Sequence, residues 1–272
     1  MSPTTQLITS LQNPRVKEVV KLSKRSYRDE KGLLLVEGYR ELKRALENDW
    51  KPAAIFFCPE LFLGKNEMPL VELCRSAGAE AFQCSKSVFE KMAYRDRPEG
   101  LLAEGPQIRA TLADLRIESP SPFFVVAESV EKPGNLGTIL RSADAAGVDA
   151  VIVCDERTDI NNPNVVRAST GTLFSLPVVT ATSDETMKWL KALNVQTIAA
   201  SPHATSEYTG IDLTRGIAFV VGSEQYGLSE AWMKNADIQV RIPMLGQADS
   251  LNVSAATTIL LYEVVRQRRA AK

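Results

Sequence analysis

Three short stretches of this 272-residue chain combine glycine, asparagine, serine and a lone charged residue in patterns suited to holding and reacting a bound molecule. Residues 131–147, EKPGNLGTILRSADAAG, turn at Pro133 and Gly134, set Asn135 before a helix and carry Arg141 about two turns further on. Residues 222–228, GSEQYGL, follow the apolar run IAFVV. There Gly222 lets a ligand approach the backbone, Gly227 relieves a turn, and Glu224 can anchor a neighbouring loop or a substrate. Residues 242–263, IPMLGQADSLNVSAATTILLYE, pass from a strand end through a glycine-bearing loop into a helix that Ser250 or Asn252 can cap. A short side-chain oxygen at that place satisfies the orphan amides of a first turn. Each residue alone also has an ordinary use: Asn135 as a cap, Arg141 in a surface ion pair, Glu224 as an acid favoured by a helix dipole. The G-x-x-G spacing of Gly134 and Gly137 lacks the dinucleotide fingerprint, which argues against a nicotinamide-dependent oxidoreductase.

The elements that position these loops read as a parallel sheet. From residue 123 onward, near-continuous apolar strands (FFVVAES, DAVIVCD, LPVV, VQTIAAS, IAFVVGSE, IQVRIPM) alternate with helices, the pattern of a sheet covered on both faces. Ligands of such sheets bind beyond the carboxyl ends of the strands, where all three loops fall. In the final helix Val253, Ala256, Ile259, Leu260 and Val264 predict one buried stripe. The first hundred residues form a smaller α/β unit. Its pattern predicts a helix over 13–24, strands at 32–38, 53–58 and 100–105, a helix from Tyr39 to Glu47, one over 68–78 closed by Gly78, the strand AEAFQC and a helix near 86–93. Pro106, Pro120 and Pro122 frame a linker with one helical turn. The resulting division is 1–106, linker 107–121, and 122–272.

Composition bounds the class. With 44% hydrophobic and 24% charged residues the chain is an ordinary globular protein, long enough for two domains. No run approaches the ~20 apolar residues of a membrane span, and the N-terminus lacks a signal-peptide pattern, so a cytoplasmic location is expected. Cys58, Cys74, Cys84 and Cys154 are scattered, and His203 is the sole histidine. Neither a metal site nor a disulfide framework is expected; the cysteines read as buried thiols and His203 as structural or solvent-facing. Net charge is −1, yet residues 1–31 hold seven basic against three acidic side chains, and the far end, QRRAAK, is also basic. Such a run is either a solvated face or a surface that tracks phosphates.

Taken together, PGNLGTILRSADAAG, VVGSEQYGLS and IPMLGQADSLNVSAATTILLYE resemble, in order, the three motifs of the SpoU (TrmH-like) branch of SPOUT RNA methyltransferases, over residues 123–269. NPRVKEVVKL and LLVEGYRELKRAL, within 10–105, resemble the ribosomal-protein-like substrate-binding domain often joined to it. The resemblance implies a knotted α/β catalytic domain and S-adenosylmethionine as cofactor, held by the backbones of Gly222, Ile242 and Leu251. It implies transfer of a methyl group to a ribose 2′-hydroxyl, with Arg141 as catalytic arginine and Asn135, Glu224, Ser250 and Asn252 orienting it and the ribose. It also implies a homodimer that uses the final helix, and an RNA partner. Ribosomal RNA is favoured by the kind of N-terminal domain; transfer RNA, or a non-catalytic RNA-binding protein of ribosome assembly, are the alternatives.

Overall fold

The computed structural model describes residues 6–271. Its contacts divide them into two units, one of residues 6–108 with 159–175, the other of 109–158 with 176–271.

The first unit is a mixed five-stranded sheet. Its elements are β1 (Gln6–Ile8), α1 (Pro14–Lys21), α2 (Arg25–Lys31), β2 (Leu33–Glu37), α3 (Tyr39–Glu47), β3 (Ala54–Phe57), α4 (Glu67–Ser76), β4 (Glu80–Cys84), α5 (Lys86–Met92) and β5 (Leu101–Pro106). The order is β1-β4-β3-β5-β2, with β5 antiparallel to both neighbours. Strand β1 and a separate helix α2 were not anticipated, the first because its three residues are too few to show a period. The basic N-terminal stretch is partly consumed internally. Arg28 is 1% exposed and donates to Asp159 at 2.6 Å and to the carbonyls of Leu22 and Ser23. Arg15 pairs with buried Glu104 at 2.7 Å. Lys17, Lys21 and Lys24 stay exposed. Residues 159–175, which the sequence places in the second half, join this unit and bring α7 (Pro163–Ala168), which packs on β2.

The second unit holds a seven-stranded parallel sheet. Its elements are β6 (Phe123–Glu128), α6 (Pro133–Ala146), β7 (Ala150–Cys154), β8 (Val178–Ala181), α8 (Ser183–Ala192), β9 (Gln196–Ala200), β10 (Ser206–Glu207), β11 (Ile217–Val221), α9 (Glu230–Asn235), β12 (Ile238–Arg241) and α10 (Val253–Ala270). The order is β10-β12-β9-β11-β6-β7-β8, every pairing parallel. Strands β6, β7 and β11 are buried along their whole length, as a sheet covered on both faces requires. Residues 107–121 contain one 3₁₀ turn, Leu112–Asp114, closed by a reciprocal Thr111–Asp114 cap. All four cysteines are buried, and burial pushes the Cys74, Cys84 and Cys154 thiols up to about 12.

Helix α10 corrects the expected stripe. Leu260 and Val264 are buried, but Ile259 is 37% exposed, and Thr257, Leu261 and Glu263 take inward places. Thr257 can do so because its hydroxyl donates to the Val253 carbonyl at 2.7 Å, leaving no unsatisfied polar group. The helix packs on α6, where the hydroxyls of Ser142 and Thr258 meet at 2.7 Å.

Candidate functional site

Strands β6, β11 and β12 end in the three loops singled out from the sequence, and side chains from all three meet. Glu224, in the loop after β11, accepts hydrogen bonds from the main-chain amides of Glu131 (3.0 Å) and Lys132 (3.2 Å) and from the Asn135 side-chain amide (2.5 Å). The same Asn135 accepts, through its Oδ1, the Asn252 Nδ2 at 3.1 Å. Asn252 in turn accepts from the amide (3.0 Å) and hydroxyl (2.7 Å) of Ser254. The result is a directional relay, Glu224 to Asn135 to Asn252 to the first turn of α10. Both ends of the Asn135 amide are committed, so its orientation is fixed by chemistry and not by packing alone. Burial of Glu224 works to raise its pKa, but the bonds from Glu131, Asn135 and Lys132 outweigh it and hold the carboxyl below its ordinary range.

The choice of cap is settled in favour of Asn252, whose side chain receives the Ser254 amide; Ser250 is exposed and makes no such bond. Asn135 is not a cap but lies inside α6, which begins at Pro133.

A cavity of about 640 Å³ opens beside the relay. Gly222, Ile242 and Leu251, the three expected backbone contacts, line it together with Glu224, Ser250 and Asn252. Its apolar wall includes Val221, Leu228, Met233, Val240 and Leu260. The turn that forms one side is tightly closed: the Ser223 and Gly227 main chains exchange two hydrogen bonds of 3.0 Å, and Gly227 sits at φ +68°. Gly222 serves this closure. A Cβ there would lie 2.2 Å from the Gly227 carbonyl carbon, so the space its missing side chain leaves is taken by the turn itself and not by a ligand. Beyond the turn, Ser229 caps α9 and donates its amide to buried Glu128 at 2.8 Å.

Arg141 stands apart from this cluster. It is exposed on α6, does not line the cavity, and has no hydrogen-bond or ion-pair partner among the described residues. The lining also includes Lys132, Ser201, His203, Gln225, Tyr226 and Asp249, to which the sequence assigns no site role. His203 is exposed, as expected, but fronts the cavity. Its place after β9 was the available signal, since that loop too leaves the carboxyl end of a parallel strand. Among the described residues no cluster of metal-ligating side chains occurs, and no helix is long and apolar enough to cross a membrane.

Comparison with known proteins bears on the same elements. The SpoU rRNA Methylase family model matches residues 122–262, and the MRM3-like substrate binding domain model matches residues 13–103. A 23S rRNA (uridine(2479)-2'-O)-methyltransferase of Streptomyces viridochromogenes is 32% identical over 98% of this chain and 94% of its own length. A solved structure described as an RNA 2'-O ribose methyltransferase superposes with a TM-score of 0.84 at 42% identity, covering 97% of this chain and all of that one. An AdoMet-bound rRNA methyltransferase from Sinorhizobium meliloti superposes with a TM-score of 0.88 at 31% identity, covering 96% and 98%.

Proposed function

The chain belongs to the SpoU rRNA methylase family, and from that premise we propose that it transfers a methyl group from S-adenosylmethionine to a ribose 2′-hydroxyl of ribosomal RNA. The observation that carries the reading is the cavity beside the Glu224–Asn135–Asn252 relay, walled by the residues the motif assigns to the cofactor. The residues fit that group. A volume of about 640 Å³ lies within the range of small-molecule pockets; apolar walls suit the faces of an adenine ring, and the main chain at Gly222, Ile242 and Leu251 offers donors and acceptors for its edge.

When bound, S-adenosylmethionine supplies an electrophilic methyl on a sulfonium centre. The protein's task is to bring the ribose oxygen in line with it, and alignment of two reactants is a large share of such catalysis. Asn135, locked at both ends, and Glu224 orient the ribose, with Ser250 and Asn252 on the same wall. Arg141 grips an adjacent phosphate through its planar fork and stabilises the oxyanion that develops as the hydroxyl loses its proton. A guanidinium cation has no free lone pair with which to act as a base, so the proton passes to substrate phosphate or water. Without a hydrogen-bond or ion-pair partner among the described residues, Arg141 is available for that contact.

The same reading includes a homodimer. Ile259 (37% exposed) and Tyr262 (48% exposed) stand three residues apart on the outer side of α10, an apolar pair suited to a second copy. Exposed Lys17, Lys21 and Lys24 in the first unit supply an RNA-facing charge, and a ribosomal RNA substrate sets the enzyme in the cytoplasm.

The test is transfer of radiolabelled methyl to separated ribosomal and transfer RNA, wild type beside Arg141→Ala, with the product mapped by resistance to alkaline cleavage. Label at one alkali-resistant position of ribosomal RNA, lost in the variant, is expected. Label confined to transfer RNA would keep the chemistry and overturn the substrate; failure to bind S-adenosylmethionine would overturn the reading entirely. Light scattering at micromolar concentration should give the mass of two chains.

A further inference from the structure

The turn that carries Glu224 also presents an aromatic ring that the relay does not use. Ser223 and Gly227 close the turn through their paired main-chain bonds, and the Tyr226 amide donates to the Ser223 hydroxyl at 3.1 Å. Within this closed frame Glu224 reaches the start of α6, while Tyr226 lines the cavity and keeps 71% of its surface exposed. Its hydroxyl has no partner among the described residues. A ring held in water by a rigid clip forgoes the stabilisation that burial would give it, and local choices that cost stability cluster where a ligand makes use of them. The other loop of the site does the same: Leu245, between β12 and α10, is 98% exposed.

Resting on the function proposed above, we infer that Tyr226 is a specificity-determining residue, its ring stacking on the nucleobase of the nucleotide whose ribose is methylated. The 2′-oxygen must come to the cavity, which brings the base attached to the same sugar within reach of the exposed ring of Tyr226 in its lining. A cofactor held against the inner apolar wall does not need a ring so largely exposed. RNA-binding proteins read unpaired bases by stacking them on aromatic faces, and each such stack changes affinity roughly 5- to 150-fold when the ring is removed. Glu224 and Tyr226 are two residues apart on one clip, so the orienting of the sugar and the docking of its base share a rigid support.

The experiment compares wild type, Tyr226→Phe and Tyr226→Ala in methyl transfer to ribosomal RNA, with S-adenosylmethionine affinity measured by titration and assembly by light scattering. The phenylalanine variant should keep its RNA KM within about twofold. The alanine variant should raise that KM roughly 5- to 150-fold, with cofactor affinity and assembly unchanged. An unchanged RNA KM in Tyr226→Ala overturns the inference while leaving the enzyme reading intact. So does weakened cofactor binding, which would make the ring a cover for the cofactor, or loss of the dimer, which would make it an interface residue. If wild type methylates no RNA, the functional reading fails and the inference falls with it.

Discussion

Replacement of Glu224 by glutamine isolates the relay from the rest of the fold, because the two side chains have the same shape. The carboxylate accepts through both oxygens: Oε1 takes Lys132 and Asn135, Oε2 takes Glu131. Glutamine can keep its oxygen at only one of these places and turns an NH₂ donor toward an amide donor at the other. The loss is therefore at least one bond to a charged acceptor, worth about 1.5–3 kcal/mol when buried. Glu224 is half-buried, which reduces this to about 1–2 kcal/mol, or roughly 2–8 °C in Tm at the ~2–4 °C per kcal/mol of a unit this size. The pH dependence has a definite sign. The folded carboxyl lies below its ordinary range, so the advantage of wild type over the variant is complete above the unfolded value of ~4.3 and disappears as pH falls through the lower folded value. Turnover should drop further than stability, about 10²-fold, since a misplaced orienting group costs on that order. Methyl-transfer kinetics and thermal unfolding at pH 7 and below pH 4 are the assays. A glutamine variant with wild-type Tm at pH 7, or with turnover within twofold of wild type, would refute the reasoning.

Gly222→Ala should force the 223–227 turn outward, because its Cβ would meet the Gly227 carbonyl carbon at 2.2 Å; overpacking of this kind costs about 1–3 kcal/mol, and a cofactor titration should show affinity weakened about tenfold. Asp159→Asn leaves the Arg28 guanidinium buried without its counter-charge, and urea denaturation should report a loss of about 3 kcal/mol. Arg141→Ala should abolish methyl transfer yet stay within ~0.5 kcal/mol of wild-type stability, as an exposed side chain without a partner among the described residues allows. Ile259→Asp with Tyr262→Asp should halve the mass seen by light scattering if α10 joins two copies.

The sequence made the centre of the parallel sheet legible because β6, β7 and β11 are continuous apolar runs bounded by glycine, proline or acid, and α3 emerges at the predicted limits Tyr39–Glu47. Less was legible where polar residues occupy inward positions. Thr257 and Glu263 hide the period of α10, one by bonding its own helix, the other by pairing with Arg266 and Gln267. Arg28 reads as one more surface cation, since nothing local announces a partner 131 positions away. The two-residue β10 is too short to leave a pattern. At the site, the three motifs indicated which loops belong together, but not that Asn135 is bonded from both sides or that Arg141 has no hydrogen-bond or ion-pair partner among the described residues. Those are properties of three loops brought together by strand order, and strand order is not written in any one of them.

Asn252 belongs to two structures at once, closing the first turn of α10 and holding Asn135 in place. Fraying at the start of that helix is therefore also disassembly of the Glu224–Asn135–Asn252 relay. The Ser254 amide, bonded to the Asn252 side chain at 3.0 Å, becomes a built-in gauge: its hydrogen-exchange protection measures the fraction of molecules in which the cap is closed. A bound ligand that steadies the 242–252 loop should slow exchange at this one amide in proportion to its occupancy, and a variant that loosens the cap should lose activity before it loses any of the sheet.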